Sequence, residues 1–183
     1  LTDEYEKEIS IHTTATSKDG EKTILAGKEV TIVDTVKLDG LTKGTKYQLK
    51  GWQMLKEENA ELIIDGKRVE NDYTFVADDE EMKVEISYTF NASALGGKNL
   101  VTFEEVYDLS NPDEPVKVAE HKDIEDEGQT ITFKEKPEAP EEPEKPETPQ
   151  TPTKGYLPQT GDNTSLVALI AMFLASVGGL TGT

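Results

Sequence analysis

Proline falls at every third position from Pro137 to Pro152, separated by Glu, Lys, Thr, Gln and a single Ala, and this spacing confines any folded domain to the chain before it. A stretch of that composition has almost no apolar side chain to bury and favours extended, polyproline-like chain. A hydrophobic core must therefore come from residues 1–135, a length that suffices for one domain with a real interior. The chain divides into that domain, a Pro/Glu-rich disordered spacer at 136–156 and a C-terminal segment at 157–183.

Within the first part, short segments rich in Val, Ile, Thr, Tyr and Phe alternate apolar with polar residues and are separated by turn signals, which predicts an all-β fold. The expected strands are Ile9 to Ala15, Glu29 to Leu38, Tyr47 to Leu55, Leu62 to Ile64, Tyr73 to Val76, Lys83 to Phe90, Leu100 to Tyr107, Val116 to His121 and Thr130 to Phe133. Asp19-Gly20, Asp39-Gly40, Asp65-Gly66 and Gly96-Gly97 punctuate them with residues that tolerate positive φ. Strands of this length and spacing predict an immunoglobulin-like β-sandwich, with a barrel as the alternative. Trp52, Leu49, Phe75, Phe90 and Phe103 are its expected core residues.

Charge and composition exclude several function classes. Nineteen basic against 37 acidic residues give a net charge of −18 spread along the chain, which argues against binding nucleic acid or an anionic membrane. Cysteine is absent, so no disulfide can restrain the unfolded chain, and another covalent restraint is worth seeking. No P-loop, GxGxxG, GxSxG or His/Cys cluster occurs, so no cofactor is expected. Metal binding is not expected either: Asp123, Glu125 and Glu127 alternate before Gly128, but Lys134 stands where an EF-hand loop needs its bidentate Glu.

Leu157, Pro158, Gln159, Thr160 and Gly161 form an LPxTG pentapeptide, and the residues from Leu166 to Leu180 carry no charge. This order resembles the sorting signal of Gram-positive surface proteins, with the uncharged run as a C-terminal apolar helix. The resemblance implies that sortase cuts after Thr160 and joins its carboxyl to peptidoglycan, so that the chain meets the membrane only before sorting. It also implies a secreted, cell wall-anchored protein at the Gram-positive surface. The apolar run is short of the roughly 20 residues that span a bilayer and no Lys/Arg cluster follows it, so the expectation is a truncated tail. Leu1, preceded by neither Met nor a secretory signal, is expected to begin a fragment of a longer chain.

Five polar residues, Thr13, Asp34, Glu104, His121 and Gln129, sit in or beside apolar β segments, where a buried polar side chain needs a reason. The segments His12-Thr13-Thr14-Ala15, Val33-Asp34-Thr35-Val36, Val101-Thr102-Phe103-Glu104-Glu105 and His121-Lys122-Asp123 through Asp126 to Gln129-Thr130 resemble, in order, the ester-bond (VaFE-type) domains of Gram-positive adhesins. In that family a Thr of the first strand and a Gln of the last join spontaneously through their side chains. The resemblance implies Thr13 as nucleophile, Gln129 as the source of the carboxamide carbon, and Asp34, Glu104 and His121 as assisting groups. Thr14 competes with Thr13, because neighbouring strand residues face opposite sides of a sheet and only one of the two can point inward.

The chemistry needs these residue types, since a hydroxyl is a poor nucleophile and a primary amide a poor electrophile. A base must take the Thr proton, a donor must stabilise the oxyanion, and an acid must protonate departing ammonia. The expected roles are proton transfer for His121 and a raised pKa that keeps either Asp34 or Glu104 protonated as a donor to the Gln129 oxygen. Asp123 or Asp126 is expected to orient His121.

The reading that follows is a non-enzyme: a wall-proximal stalk module of an adhesin, its host ligand bound by a more N-terminal region absent from this chain. The alternatives are a ligand-binding adhesin domain, a secreted hydrolase using Thr13 and His121, and a pilin-like domain with a Lys-Asn isopeptide bond. Tyr47-Gln48-Leu49-Lys50-Gly51 resembles the strand motif of the isopeptide domains, but Gly51 stands where their assisting Glu would be.

Overall fold

The computed structural model describes residues 8–140. Most of the expected spacer, the pentapeptide from Leu157 to Gly161 and the expected apolar helix from Leu166 to Leu180 lie outside the described residues. Among the described residues the fold is all-β. The strands are β1 (Ser10–Ser17), β2 (Thr23–Leu25), β3 (Val30–Asp39), β4 (Lys46–Leu55), β5 (Ala60–Glu61), β6 (Ile63–Ile64), β7 (Lys67–Arg68), β8 (Glu70–Val76), β9 (Glu81–Phe90), β10 (Asn99–Asp108), β11 (Val116–His121) and β12 (Thr130–Lys134). A single 3-10 turn, Glu127–Gln129, precedes β12.

Two sheets enclose one core. The smaller is antiparallel in the order β1-β3-β9. The larger runs β2-β12-β10-β4-β5, with β8 also on β4 and with β11 and β12 sharing one edge of β10. Its pairs are antiparallel except β2 with β12, which is parallel. Asp65 and Gly66 join the β6–β7 hairpin at φ 51° and 75°, the backbone that a two-residue hairpin turn of the right twist requires.

Period-two alternation decides which side chains enter the core. Strand β9 turns Val84, Ile86, Tyr88 and Phe90 inward and leaves Lys83, Glu85, Ser87 and Thr89 exposed. Strand β3 buries Val30, Ile32, Asp34, Val36 and Leu38 in a single row, so Asp34 is a carboxylic acid in an otherwise aliphatic series. Facing rows from β4 and β10 bury Tyr47, Leu49 and Gln53, and Leu100, Thr102, Glu104 and Val106. Phe90 and Phe133, one from each sheet, meet with ring centroids 6.3 Å apart. Removing such a ring leaves a cavity that costs about 3–5 kcal/mol.

The expected core needs two corrections. Leu49, Phe75 and Phe90 are buried, but Trp52 and Phe103 lie half-buried on the outer face of the larger sheet. Parity explains this: Trp52 is an odd number of residues from Leu49, and Phe103 lies between inward-facing Thr102 and Glu104. The two rings pack edge to face at 6.1 Å, with the Arg68 guanidinium 5.2 Å and the Lys122 ammonium 5.8 Å from the indole. Strands β2, β5 and β7 were not among the expected ones; all three are short and largely exposed, with too little alternation to register.

Candidate functional site

Four of the five expected residues enter the interior between the sheets. Thr13, Asp34, Glu104 and Gln129 are each at most 1% exposed, whereas Thr14 is exposed. Strand β1 pairs with β3 so that Thr13 lies opposite Val36 and Ala15 opposite Asp34, placing Thr13 and Asp34 on the same inner surface. Glu104 reaches the interior from β10 in the other sheet. Gln129 ends the 3-10 turn, one residue before β12 begins.

The Gln129 amide nitrogen joins these elements. It donates to Glu104 Oε2 at 3.3 Å and to Asp34 Oδ2 at 3.5 Å. Among the described residues, the fully enclosed side-chain oxygens and nitrogens without a hydrogen-bond partner are Thr13 Oγ1, Asp34 Oδ1, Glu104 Oε1, Gln129 Oε1 and Tyr88 Oη. Buried polar groups are normally paired, and an unpaired one costs about 1–3 kcal/mol. Four of these five atoms belong to expected site residues. A reactive cluster has reason to keep such unspent hydrogen-bonding capacity, because the groups it serves arise only as the reaction proceeds.

Electrostatics separate the acids. Burial pushes Asp34 up to about 7, against the opposing charge of Lys22 and hydrogen bonds from the Thr14 and Thr35 backbone. Asp126 moves the other way. Its partial burial is outweighed by hydrogen bonds from His121 and the Gly128 N–H, and by the charges of His121 and His12, so its carboxyl is held below the usual range.

His121 stands at the margin, half-buried, as the register partner of Glu104 across β10 and β11. Its Nε2 lies 2.6 Å from Asp126 Oδ2. Of the two acids weighed from the sequence, Asp126 is thus the one that holds His121, while Asp123 Oδ1 accepts the Glu125 N–H instead. Asp126 also caps the 3-10 turn, accepting the Gly128 N–H on Oδ1 at 2.7 Å and the Thr130 hydroxyl on its carbonyl at 2.7 Å. One residue therefore shapes the turn that presents Gln129 and orients the imidazole.

A further contact holds β1 against that turn. The Lys22 ammonium donates to the carbonyls of both Ala15 and Gly128. Gly128 packs closely there, the position of a Cβ on it being 3.7 Å from the Thr13 carbonyl oxygen. The residues that carry Thr13 and Gln129 are thereby tied on either flank. Lys22 lies in a polar turn, where nothing in the sequence set it apart from other surface lysines. Tyr88 was also passed over, since a tyrosine in an alternating strand reads as an ordinary core aromatic.

Residues 9–133 match the T-Q ester bond containing domain family, and the chain belongs to it. The fold is similar to that of a bacterial adhesin from Mobiluncus mulieris containing intramolecular disulfide, isopeptide and ester bond cross-links, solved in two crystal forms. In space group P1 the match has a TM-score of 0.60 and 18% identity over 71% of this chain and 58% of that one. In space group P21 the TM-score is 0.55, with 19% identity over 68% of this chain and 56% of that one. The chain spans less than two thirds of the length of either adhesin structure. No curated protein matches it.

Proposed function

We propose that Thr13 and Gln129 join in an autocatalytic intramolecular ester, and that the cross-linked domain is a wall-proximal stalk module of a sortase-anchored surface adhesin with an immunoglobulin-like sandwich. The observation that carries the ester is the burial of Gln129 between Asp34 and Glu104, with the Thr13 hydroxyl buried on the same inner surface as Asp34 and without a hydrogen-bond partner.

The bond that forms is Thr13 Oγ to Gln129 Cδ, and the bond that breaks is Cδ to Nε2, releasing ammonia. His121 accepts the Thr13 proton through Nδ1, because Nε2 is bonded to Asp126. Asp34, raised to about 7, is protonated in mildly acid conditions and about half protonated at neutrality, and it faces the leaving nitrogen, to which it gives its proton. The proton taken by His121 then restores Asp34. Glu104 accepts an N–H of the amide and holds it in line. The reaction occurs once per chain and yields a modified domain, so the protein is no enzyme in the turnover sense.

The structure gives the isopeptide alternative no footing at the motif that suggested it. Lys50 is exposed, with its ammonium 4.7 Å from the Tyr107 ring centroid, and the space inside Gly51 is taken by the Tyr88 phenol. In the stalk reading, Thr160 is the point of attachment to peptidoglycan, and tension from the N-terminal side crosses the domain at Thr13 and Gln129.

Intact mass after denaturation tests the cross-link. The wild-type chain is expected one ammonia lighter than its sequence, with Thr13→Ala and Gln129→Ala at full mass. A well-folded wild type at full mass overturns the ester. Incubation with sortase and an amine nucleophile tests anchoring separately, the expected product ending at Thr160.

A further inference from the structure

Lys22 stands where the first strand, the last strand and the turn before it meet. The loop after β1 closes tightly: the Ser17 N–H donates to the Glu21 carbonyl, and the Ser17 hydroxyl oxygen accepts the N–H groups of Asp19 and Glu21. The chain is thereby returned to Lys22, whose own carbonyl accepts the Thr132 N–H as β2 begins its parallel run along β12. With its main chain fixed to the last strand, Lys22 sends its side chain to the carbonyls of Ala15 in β1 and Gly128 in the 3-10 turn.

Those two carbonyls bracket the reacting pair. Ala15 lies two residues beyond Thr13 in the same buried row of β1, and Gly128 immediately precedes Gln129. Strand β1 is an edge of its sheet, and an edge strand or the end of a short helical turn presents carbonyls that the backbone ladder does not use. An ammonium carries three donors and no acceptor, so it holds two such carbonyls at once where a hydroxyl could hold one.

We propose that Lys22 is a positioning residue for the cross-linking reaction, its ammonium drawing the Ala15 and Gly128 carbonyls together so that the Thr13 hydroxyl meets the Gln129 carboxamide in reacting geometry. The inference deepens the ester reading above and rests on it. Lys22 acts through the backbone of the two segments, where a displacement of about 1 Å is enough to slow a reaction about a hundredfold. Its charge has a second effect. The ammonium opposes the burial that raises Asp34, and so lowers the pH above which Asp34 has no proton for the leaving nitrogen. The other titratable groups around Asp34 are Tyr88 on β9, Glu104 on β10 and Asp126 in the turn, with His121 on β11 and His12 on β1 acting on Asp126. Lys56, Glu57, Glu125 and Glu127 line a surface depression together with Lys22. All of these stay in place when Lys22 alone is replaced.

Cross-linking is followed in time to test this. Chain made by cell-free synthesis is diluted into buffers from acid to alkaline pH, quenched with acid and weighed intact, for wild type, Lys22→Met, Lys22→Gln, Lys22→Arg and Thr13→Ala. Circular dichroism of each variant reports folding. Lys22→Met keeps the stem and removes the donors and the charge; it is expected to slow ammonia loss about tenfold to a hundredfold. The alkaline limb of its pH–rate profile is expected to move to higher pH, because Asp34 without the opposing charge keeps its proton longer. Lys22→Gln, polar and uncharged, is expected to move the limb the same way, which keeps the question answerable should the Met variant fail to fold. Lys22→Arg keeps both charge and donors and is expected to restore the limb and most of the rate. A folded Met or Gln variant with the wild-type rate, or a slow one whose alkaline limb has not moved, overturns the proposal while the ester stands. A wild type that loses no ammonia overturns both.

Discussion

Asp34 and Glu104 belong to different sheets of the sandwich, yet both carboxyls lie within 3.5 Å of one nitrogen, Nε2 of Gln129. The amide is the bridge between the layers, and the burial that raises Asp34 makes the domain's stability depend on pH.

The folded-state pKa of Asp34, about 7, lies above its ordinary value of 3.8. Between those two values the native state binds more protons than the unfolded one, so this group's contribution to stability is full below the lower value and is lost as pH rises toward 7. In an unlinked Thr13→Ala background, denaturant melts are expected to show stability falling across that window by up to about 4 kcal/mol relative to the same chain carrying Asp34→Asn. Parallel profiles for the two chains would contradict the assignment. The cross-linking rate of wild type is expected to fall over the same upper range.

The interior holds a second Thr–Gln pair. Gln53 Nε2 lies 2.9 Å from Thr102 Oγ1, and both residues are fully buried, but among the described residues no carboxyl hydrogen-bonds to either side chain. Proximity without activation should leave this pair unreacted, so the denatured wild type is expected to have lost one ammonia and not two. Thr102→Val is expected to retain the cross-link while costing about 1–3 kcal/mol, because the Gln53 amide loses its partner. Thr14→Ala, on the exposed face of β1, is expected to cross-link at the wild-type rate.

Replacing Asp126 by Ala removes the acceptor of His121 and the cap of the 3-10 turn together. The expected result is a stability loss of about 1–2 kcal/mol and cross-linking slowed by about tenfold to a hundredfold. Asp126→Asn keeps the cap but not the charge, so it should restore the stability and not the rate. Thermal melts and timed mass measurements separate the two effects.

The proposed ester closes a loop of 116 residues, the difference between 129 and 13. The chain-entropy argument used for disulfides gives about 4.7 kcal/mol for a loop of about 100 residues. Wild type is expected to exceed Thr13→Ala in stability by that order, with unfolding slowed more than folding is accelerated. Equal denaturant midpoints would show that the link leaves the unfolded chain unconstrained.

The β architecture was legible because alternation is written locally: β3, β4, β9, β10 and β11 fall within two residues of their expected bounds. The inward residues Asp34 and Glu104 could be singled out because each interrupts an apolar row. Trp52 was misplaced because aromatic size was weighted above strand parity. The contacts made by Lys22 and Tyr88 depend on distances across the fold that no local pattern encodes, whereas Asp126 bonds only to near neighbours in sequence and was one of the two acids expected to hold His121. Gln129 ends the turn immediately before the last strand, which begins at Thr130 as expected.

The residues around Gln129 are drawn from β1, β3, β10, β11 and the turn before β12, spread over nearly the whole length of the domain. A growing chain lacks Gln129 until almost the whole of the domain, residues 9–133, has been made. Sealing is therefore ordered in time: a domain that has not brought its first and last segments together has nothing with which to close. The proposed ester is expected to serve as a record that the module finished folding, and as a ruler for the fraction of a population that did.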